Sequence, residues 1–157
     1  MASRMKNKDK APQSVSGPIF YWSTMVLTIL GFADALYLLI YKLSGDNKMC
    51  IGNGGCHDVN FSPYAMLFGI PVSVYGLAAY LLIVVLLLLE LRSRFVRKNG
   101  PLALFAISLG GVLFSVYLTY LELYKIRAIC PFCVASAIII TLIFILAIIR
   151  YVNQSVN

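Results

Sequence analysis

Charge is what this sequence has least of. Only 12% of its 157 residues are charged, against roughly 25% in soluble domains. The remaining residues, 61% hydrophobic overall, fall in long uncharged blocks, which excludes an ordinary soluble domain and points to a membrane protein. Acidic residues are scarcer still: six Asp and Glu against 13 Lys and Arg leave a net charge of +7. No basic stripe interleaved with aromatics accompanies that charge, so nucleic-acid binding is not implied. The basic residues sit instead at the ends of apolar blocks, as orientation in a bilayer requires. No A-x-A-like site follows the first apolar block, which predicts a retained spanning anchor rather than a cleaved signal. Neither an internal repeat nor a second soluble domain is visible. Histidine occurs once, as His57, and cysteine only four times.

What is present is four apolar segments. The expected class is all-α: a polytopic four-helix transmembrane bundle with a cysteine-bearing outer loop between helices 1 and 2. Its spans are placed at about 19–42, 64–89, 101–122 and 129–149, within a membrane domain of 18–150. Residues 1–17 form a basic tail with Arg4, Lys6, Lys8 and Lys10 and are expected to be disordered, and 151–157 form a short second tail. Asp34 is the one charge inside the first span. A carboxylate there is costly and by default suggests function, yet it lies only about two turns from Lys42, so structural and functional roles both stand. Gly69-Ile70-Pro71 is expected to kink or delay the second helix. The segment Glu90–Asn99 carries Arg92, Arg94, Arg97 and Lys98 and reads as a linker ended by Gly100-Pro101. Gly111, Ser115 and Thr119 recur every four residues, a small-residue stripe suited to close helix contact. Tyr37, Tyr41, Tyr117, Tyr120 and Tyr124 are expected as interfacial-belt or packing residues. Arg150 is taken to stop the last span.

Topology follows from the basic residues. The N-terminal tail and the Glu90–Asn99 linker carry four each, whereas the Ser44–Pro63 loop carries only Lys48. Both termini and the linker are therefore expected in the cytoplasm. Cys50 and Cys56, in that loop, and Cys130 and Cys133, at the start of the fourth span, then face the same oxidising compartment. The expected location is the inner or plasma membrane, with the cysteines on the periplasmic or extracytoplasmic side and lipid around the spans. The sequons Asn60-Phe61-Ser62 and Asn153-Gln154-Ser155 are not expected to be used: Pro63 follows the first, and the second falls on the cytoplasmic side.

Cys130-Pro131-Phe132-Cys133 carries the chemistry. Pro131 suits the first turn of a helix, where its missing N–H breaks no bond. The two cysteines, three apart, share a helix face, and the electropositive helix start favours a thiolate. Three glycines between Cys50 and Cys56 make a compliant loop. Two dithiols on one face of a membrane can pass electrons by thiol–disulfide exchange, and a lipid-soluble quinone is the natural acceptor beside the helix-borne pair. Cys50 is assigned to meet a protein partner, Cys56 to exchange with Cys130, and Cys133 to face the quinone. Phe132 is grouped with these as a quinone contact, as are Gly111 and Glu122, which share one helical face. A four-cysteine zinc site would need one pair to leave the membrane surface, and no metal is assigned. His57 reads as a solvated loop histidine, with a ligand or thiolate-promoting role as the alternative.

Taken together, Cys50, Gly54-Gly55-Cys56, Val59, Ser62, Tyr64, Gly69-Ile70-Pro71, Gly76 and Cys130-Pro131-Phe132-Cys133 resemble the pattern of the vitamin K epoxide reductase family, in particular its bacterial and archaeal members. The resemblance runs from about Ile19 to Ile149. It implies a four-helix bundle around a quinone, with Cys50 and Cys56 as the loop pair and Cys130 and Cys133 as the active-site pair. Ser62 falls on the family's serine or threonine that shapes the site. Prokaryotic members resemble DsbB in role: they reoxidise a thioredoxin-like, DsbA-like partner and so drive disulfide formation in exported proteins. Animal members reduce vitamin K epoxide or quinone. Many bacterial members carry a fused thioredoxin-like domain; with the sequence ending at Asn157, a separate thioredoxin-fold partner is the expectation. His57 stands where an acidic residue is frequent, so no carboxylate role is carried over there. The expected function is a membrane thiol–quinone oxidoreductase using ubiquinone or menaquinone. The alternatives are a quinone-epoxide reductase and a membrane metal-binding or structural protein.

Overall fold

A computed structural model describes residues 18–45 and 55–156; the N-terminal tail and residues 46–54, Cys50 among them, lie outside the described residues. Helix α1 spans Pro18–Ser44. It turns a face of Thr24, Thr28, Gly31, Ala35 and Leu38 inward, at spacings of three and four. Thr24 and Thr28 are fully buried, and their hydroxyls donate to the carbonyls one turn back, Phe20 at 2.8 Å and Thr24 at 2.7 Å, so this face carries no orphaned hydroxyl.

A short helix, α2 (Gly55–Asn60), carries Cys56. A 3-10 turn at Pro63–Ala65 leads into a small antiparallel hairpin of β1 (Met66–Leu67) and β2 (Ile70–Pro71), with Met66 opposite Pro71. Its two turn residues, Phe68 (φ +52°) and Gly69 (φ +80°), are both left-handed, as a two-residue hairpin turn requires. Helix α3 (Val72–Arg92) therefore begins eight residues later than the uncharged run suggested. The run from Tyr64 to Pro71 is spent on turn and hairpin, and Pro71, at the cap, starts the helix without needing an N–H partner.

Ser93, in an extended conformation, separates α3 from α4 (Arg94–Leu121), and its N–H donates to Leu89. The basic linker expected from the sequence is thus a single residue, and α4 runs straight through Gly100 and Pro101. Tertiary packing decides this: the Glu90 carboxylate lies against the α-carbon of Gly100, where any side chain would collide with it. Beyond Leu121 the chain widens into a π turn, Glu122–Ile126, closed by Arg127 at φ +55°. Helix α5 spans Pro131–Val156.

The four long helices form a closed ring in which α1 and α4 each pack on both α3 and α5. Tyr80, Ile83, Leu87, Leu104, Ile140 and Ile143 fill the centre. The Tyr80 ring occupies the space a side chain at Gly31 would need. Large apolar residues such as Leu82, Leu88, Val116 and Ile145 face outward instead, and all four helices are long and apolar enough to cross a bilayer. The molecule is a multi-pass membrane protein. Arg150 does not end the last helix, as the sequence suggested; it turns inward and pairs with Glu90 at 2.7 Å, both residues 5% exposed. Gln154 adds a bond to the Lys98 carbonyl at 2.7 Å, and Tyr21 donates to the Leu87 carbonyl at 3.1 Å. One end of the bundle is pinned by these contacts, and the cysteines occupy the other.

Candidate active site

The two cysteines of the CxxC stretch are built into the start of α5. The Cys130 carbonyl accepts the first helical bond, from Val134 N–H at 3.1 Å, so Cys130 is the cap, Pro131 the first helical residue and Cys133 the third. In that geometry a cap side chain accepts from the backbone N–H three residues on, and the Cys130 sulfur does so with the N–H of Cys133. The Cys133 thiol donates to the same sulfur and is the largest influence on it. Together with these, a hydrogen bond from Cys56 lowers the Cys130 thiol to about 7, against burial and any negative charge on Glu122, both of which push it up. Cys130 is thus poised between thiol and thiolate at neutral pH.

Cys56 reaches Cys130 because α2 lies flat against the start of α5. Both sulfur-bearing residues are buried, at 2% and 0% exposure, in a cluster with Leu38, Tyr41, Val59 and Phe132. Lys42, in the last turn of α1, ties α2 down by donating to the Asn60 carbonyl at 2.7 Å, a cation on a helix C-terminus. Gly55 sits against the Ile129 carbonyl, where a Cβ would collide with backbone. A Gly55→Ala substitution is therefore expected to lift Cys56 off Cys130 and slow exchange between them about 100-fold. Rapid-quench trapping of the Cys56–Cys130 disulfide measures this.

Beyond Cys133 the bundle opens into a cavity of about 130 Å³. An apolar cavity of roughly 150 Å³ accepts a benzene ring, so the space suits one six-membered ring. Leu38, Val59, Phe114, Leu118 and Ile140 give it apolar walls, and the polar residues Cys133, Glu122, Asn60 and Ser73 also line it. Among the described residues the Asn60 amide nitrogen and the Ser73 hydroxyl are buried without hydrogen-bond partners. Such orphaned groups cost about 1–3 kcal/mol each unless something accepts from them. The apolar walls and ring-sized space beside Cys133 fit the ring of a quinone.

The structure brings Cys56, Cys130 and Cys133 together. Ser62, Gly111 and Glu122 line the cavity as well. The Ser62 hydroxyl is used internally, donating to the Val59 carbonyl at 2.8 Å. Gly111 packs on Ile140 and, with Ser115 and Thr119, forms one wall, so the small-residue stripe serves both helix contact and cavity. Phe132 is elsewhere: it packs on Tyr37, with ring centroids 4.8 Å apart, and does not line the cavity. His57 stacks on Phe61 at 4.6 Å. Tyr41 is 1% exposed within the cysteine cluster, a packing residue and not part of a belt. Asp34 is half-buried on α1, one turn beyond Gly31, and among the described residues its Oδ2 has no hydrogen-bond partner. Sequence reasoning passed over Asn60, Ser73, Tyr80 and Ser136, all on the cavity wall. Tyr80 bonds Ser136 at 3.0 Å across 56 residues of sequence, a pairing that local pattern does not signal.

A four-helix membrane bundle carrying a capped dithiol, a third cysteine against it and a ring-sized cavity behind it defines a membrane thiol-redox protein. Residues 22–148 match the vitamin K epoxide reductase family, and the chain belongs to it. It is also similar to the thiol-disulfide oxidoreductase LTO1 of Arabidopsis thaliana, with 34% identity over 122 residues, 73% of this chain and 32% of that protein. The chain thus spans about a third of that relative's length.

Proposed function

We propose that the protein is a membrane thiol–quinone oxidoreductase. It takes electrons from a thioredoxin-fold partner and passes them through Cys50 and Cys56, then Cys130 and Cys133, to ubiquinone or menaquinone. The observation that carries this reading is the placement of the Cys130–Cys133 pair, with Cys56 on one side and the cavity on the other. A partner dithiol reduces the Cys50–Cys56 disulfide. Cys56 then attacks Cys130 in its disulfide with Cys133, and Cys50 resolves the mixed disulfide, releasing Cys130. A low thiol pKa makes Cys130 a good leaving group in that last step. A bound quinone supplies a sink for two electrons and two protons. Asn60 and Ser73, which line the cavity, would be its polar neighbours, and the apolar wall would exclude water. The basic-residue distribution supports an orientation with the Glu90–Arg150 end in the cytoplasm and the cysteine end outside.

Quinone reduction followed by absorbance, with a reduced thioredoxin-like protein as donor, tests the reading. Cys50→Ala is expected to spare quinone reduction by a small dithiol and to stop it with the protein donor. Equal loss with both donors removes Cys50 from the outer position. No turnover with either quinone class, in folded protein, overturns the proposal; dithiol-driven reduction of a quinone epoxide by the same preparation would then replace it.

A further inference from the structure

Glu122 is 4% exposed, and among the described residues no cation pairs with it. Its Oε2 accepts from the Cys130 N–H at 3.4 Å, its carboxyl hydrogen-bonds the Cys133 thiol, and it lines the cavity. The Cys133 sulfur is therefore in contact with two acceptors, the Cys130 sulfur and Glu122. A thiol has one proton to donate. When that S–H points at a Cys130 thiolate it is withdrawn from Glu122, and the Cys130 N–H at 3.4 Å is then the one donor among these contacts left to offset a charge on the buried carboxyl. Charge favours the protonated carboxyl as well. A carboxylate beside a thiolate would place two anions in one buried site, and one of them is suppressed.

We propose that Glu122 is the proton store of the relay, protonated while Cys130 and Cys133 are reduced and ionised once they form a disulfide. This rests on the proposed function, in which that pair reduces a quinone. The step balances as follows. Cys130 thiolate, Cys133 thiol and the Glu122 carboxylic acid become the Cys130–Cys133 disulfide and the Glu122 carboxylate. The S–S bond forms, the S–H and O–H bonds break, and two electrons and two protons go to the quinone, which leaves as quinol. Glu122 gives up its own proton and then passes on that of Cys133. The site begins and ends with a single negative charge, so neither state leaves two anions in it. The dithiol of Cys50 and Cys56 returns two protons at the next exchange, one to Cys133 and one to Glu122.

Reduced-minus-oxidised infrared difference spectroscopy tests this on the intact protein in lipid, cycled with a dithiol and a disulfide and without quinone. The expected spectrum has a protonated-carboxyl band in the reduced form, replaced by carboxylate bands on oxidation, and E122Q removes both. Glu122→Asp, which keeps the acid, shifts the band without abolishing it, and it serves if E122Q does not fold. In the quinone assay E122Q is expected to fall about 100-fold in rate, with Glu122→Asp recovering part of the loss. A difference spectrum unchanged in E122Q overturns the proposal. Failure of the proposed function is distinguishable, because it leaves the infrared signature in place and abolishes quinone turnover in the unmodified protein.

Discussion

Cys133→Ala is expected to lower quinone reduction by at least about 1,000-fold, as loss of a group that takes part in bond making commonly does. The variant is expected still to bind a reduced partner, because Cys56 and Cys130 remain in contact away from the cavity. Two effects add. Cys133 is the only one of the three described cysteines on the cavity wall, so its loss removes the sulfur nearest the acceptor. Cys130 also loses its main hydrogen-bond donor, and its thiol rises from about 7 towards the ordinary cysteine value. Cys130 then cannot close a disulfide within α5; its thiolate can attack only Cys56 of the Cys50–Cys56 disulfide, breaking that bond and freeing the Cys50 thiol, so a Cys56–Cys130 disulfide is expected in exchange with the Cys50–Cys56 one. Non-reducing peptide mapping identifies that species, and absorbance follows the quinone. Cys130→Ala is expected to lose quinone reduction equally but to trap no such disulfide. Turnover surviving in Cys133→Ala would mean that electrons reach the acceptor by another sulfur.

The second large effect is structural and lies at the other end of the bundle. Glu90→Ala leaves the Arg150 guanidinium buried without its carboxylate, and breaking a buried pair in this way costs about 3–5 kcal/mol. At about 2–4 °C per kcal/mol for a chain of this size, the unfolding midpoint should fall by about 6–20 °C. Replacing both residues with leucine is expected to recover most of the loss, because an apolar pair of similar volume avoids the desolvation penalty. Thermal unfolding in detergent by circular dichroism measures both. Activity per folded molecule should survive in either variant, since the dithiol and cavity are at the opposite end. A Glu90→Ala protein as stable as the parent would show that the ion pair contributes nothing net.

Much of this was legible in the sequence because bilayers impose coarse rules. Uncharged runs of spanning length located the four helices, and Pro131 between the cysteines placed them at a helix start. Glu122 emerged from its helical register with Gly111 and Ser115. The misplaced features share a cause, which is dependence on residues distant in sequence. Arg150 read as a stop signal because its partner lies 60 residues away, and Gly100-Pro101 read as a helix breaker because the carboxylate packed on Gly100 is not visible locally. Phe132 was grouped with its neighbours, yet successive helical residues point about 100° apart, so it cannot share the Cys133 face. Asn60 and Ser73 carry no motif; only their burial without partners marks them. The place of Cys50 rests on the sequence and the family alone.

Asn60 has a double position with one further consequence. Its backbone carbonyl is held by Lys42, the residue lines the cavity, and Cys56 is four residues earlier on the same short helix. Occupancy of the cavity and seating of Cys56 on Cys130 are then not independent variables. A ligand that contacts Asn60 more tightly when α2 is seated must favour that seating by the same factor, and seating must tighten the ligand in return. In the proposed relay, the points where electrons enter and leave would then be reciprocally linked through six residues.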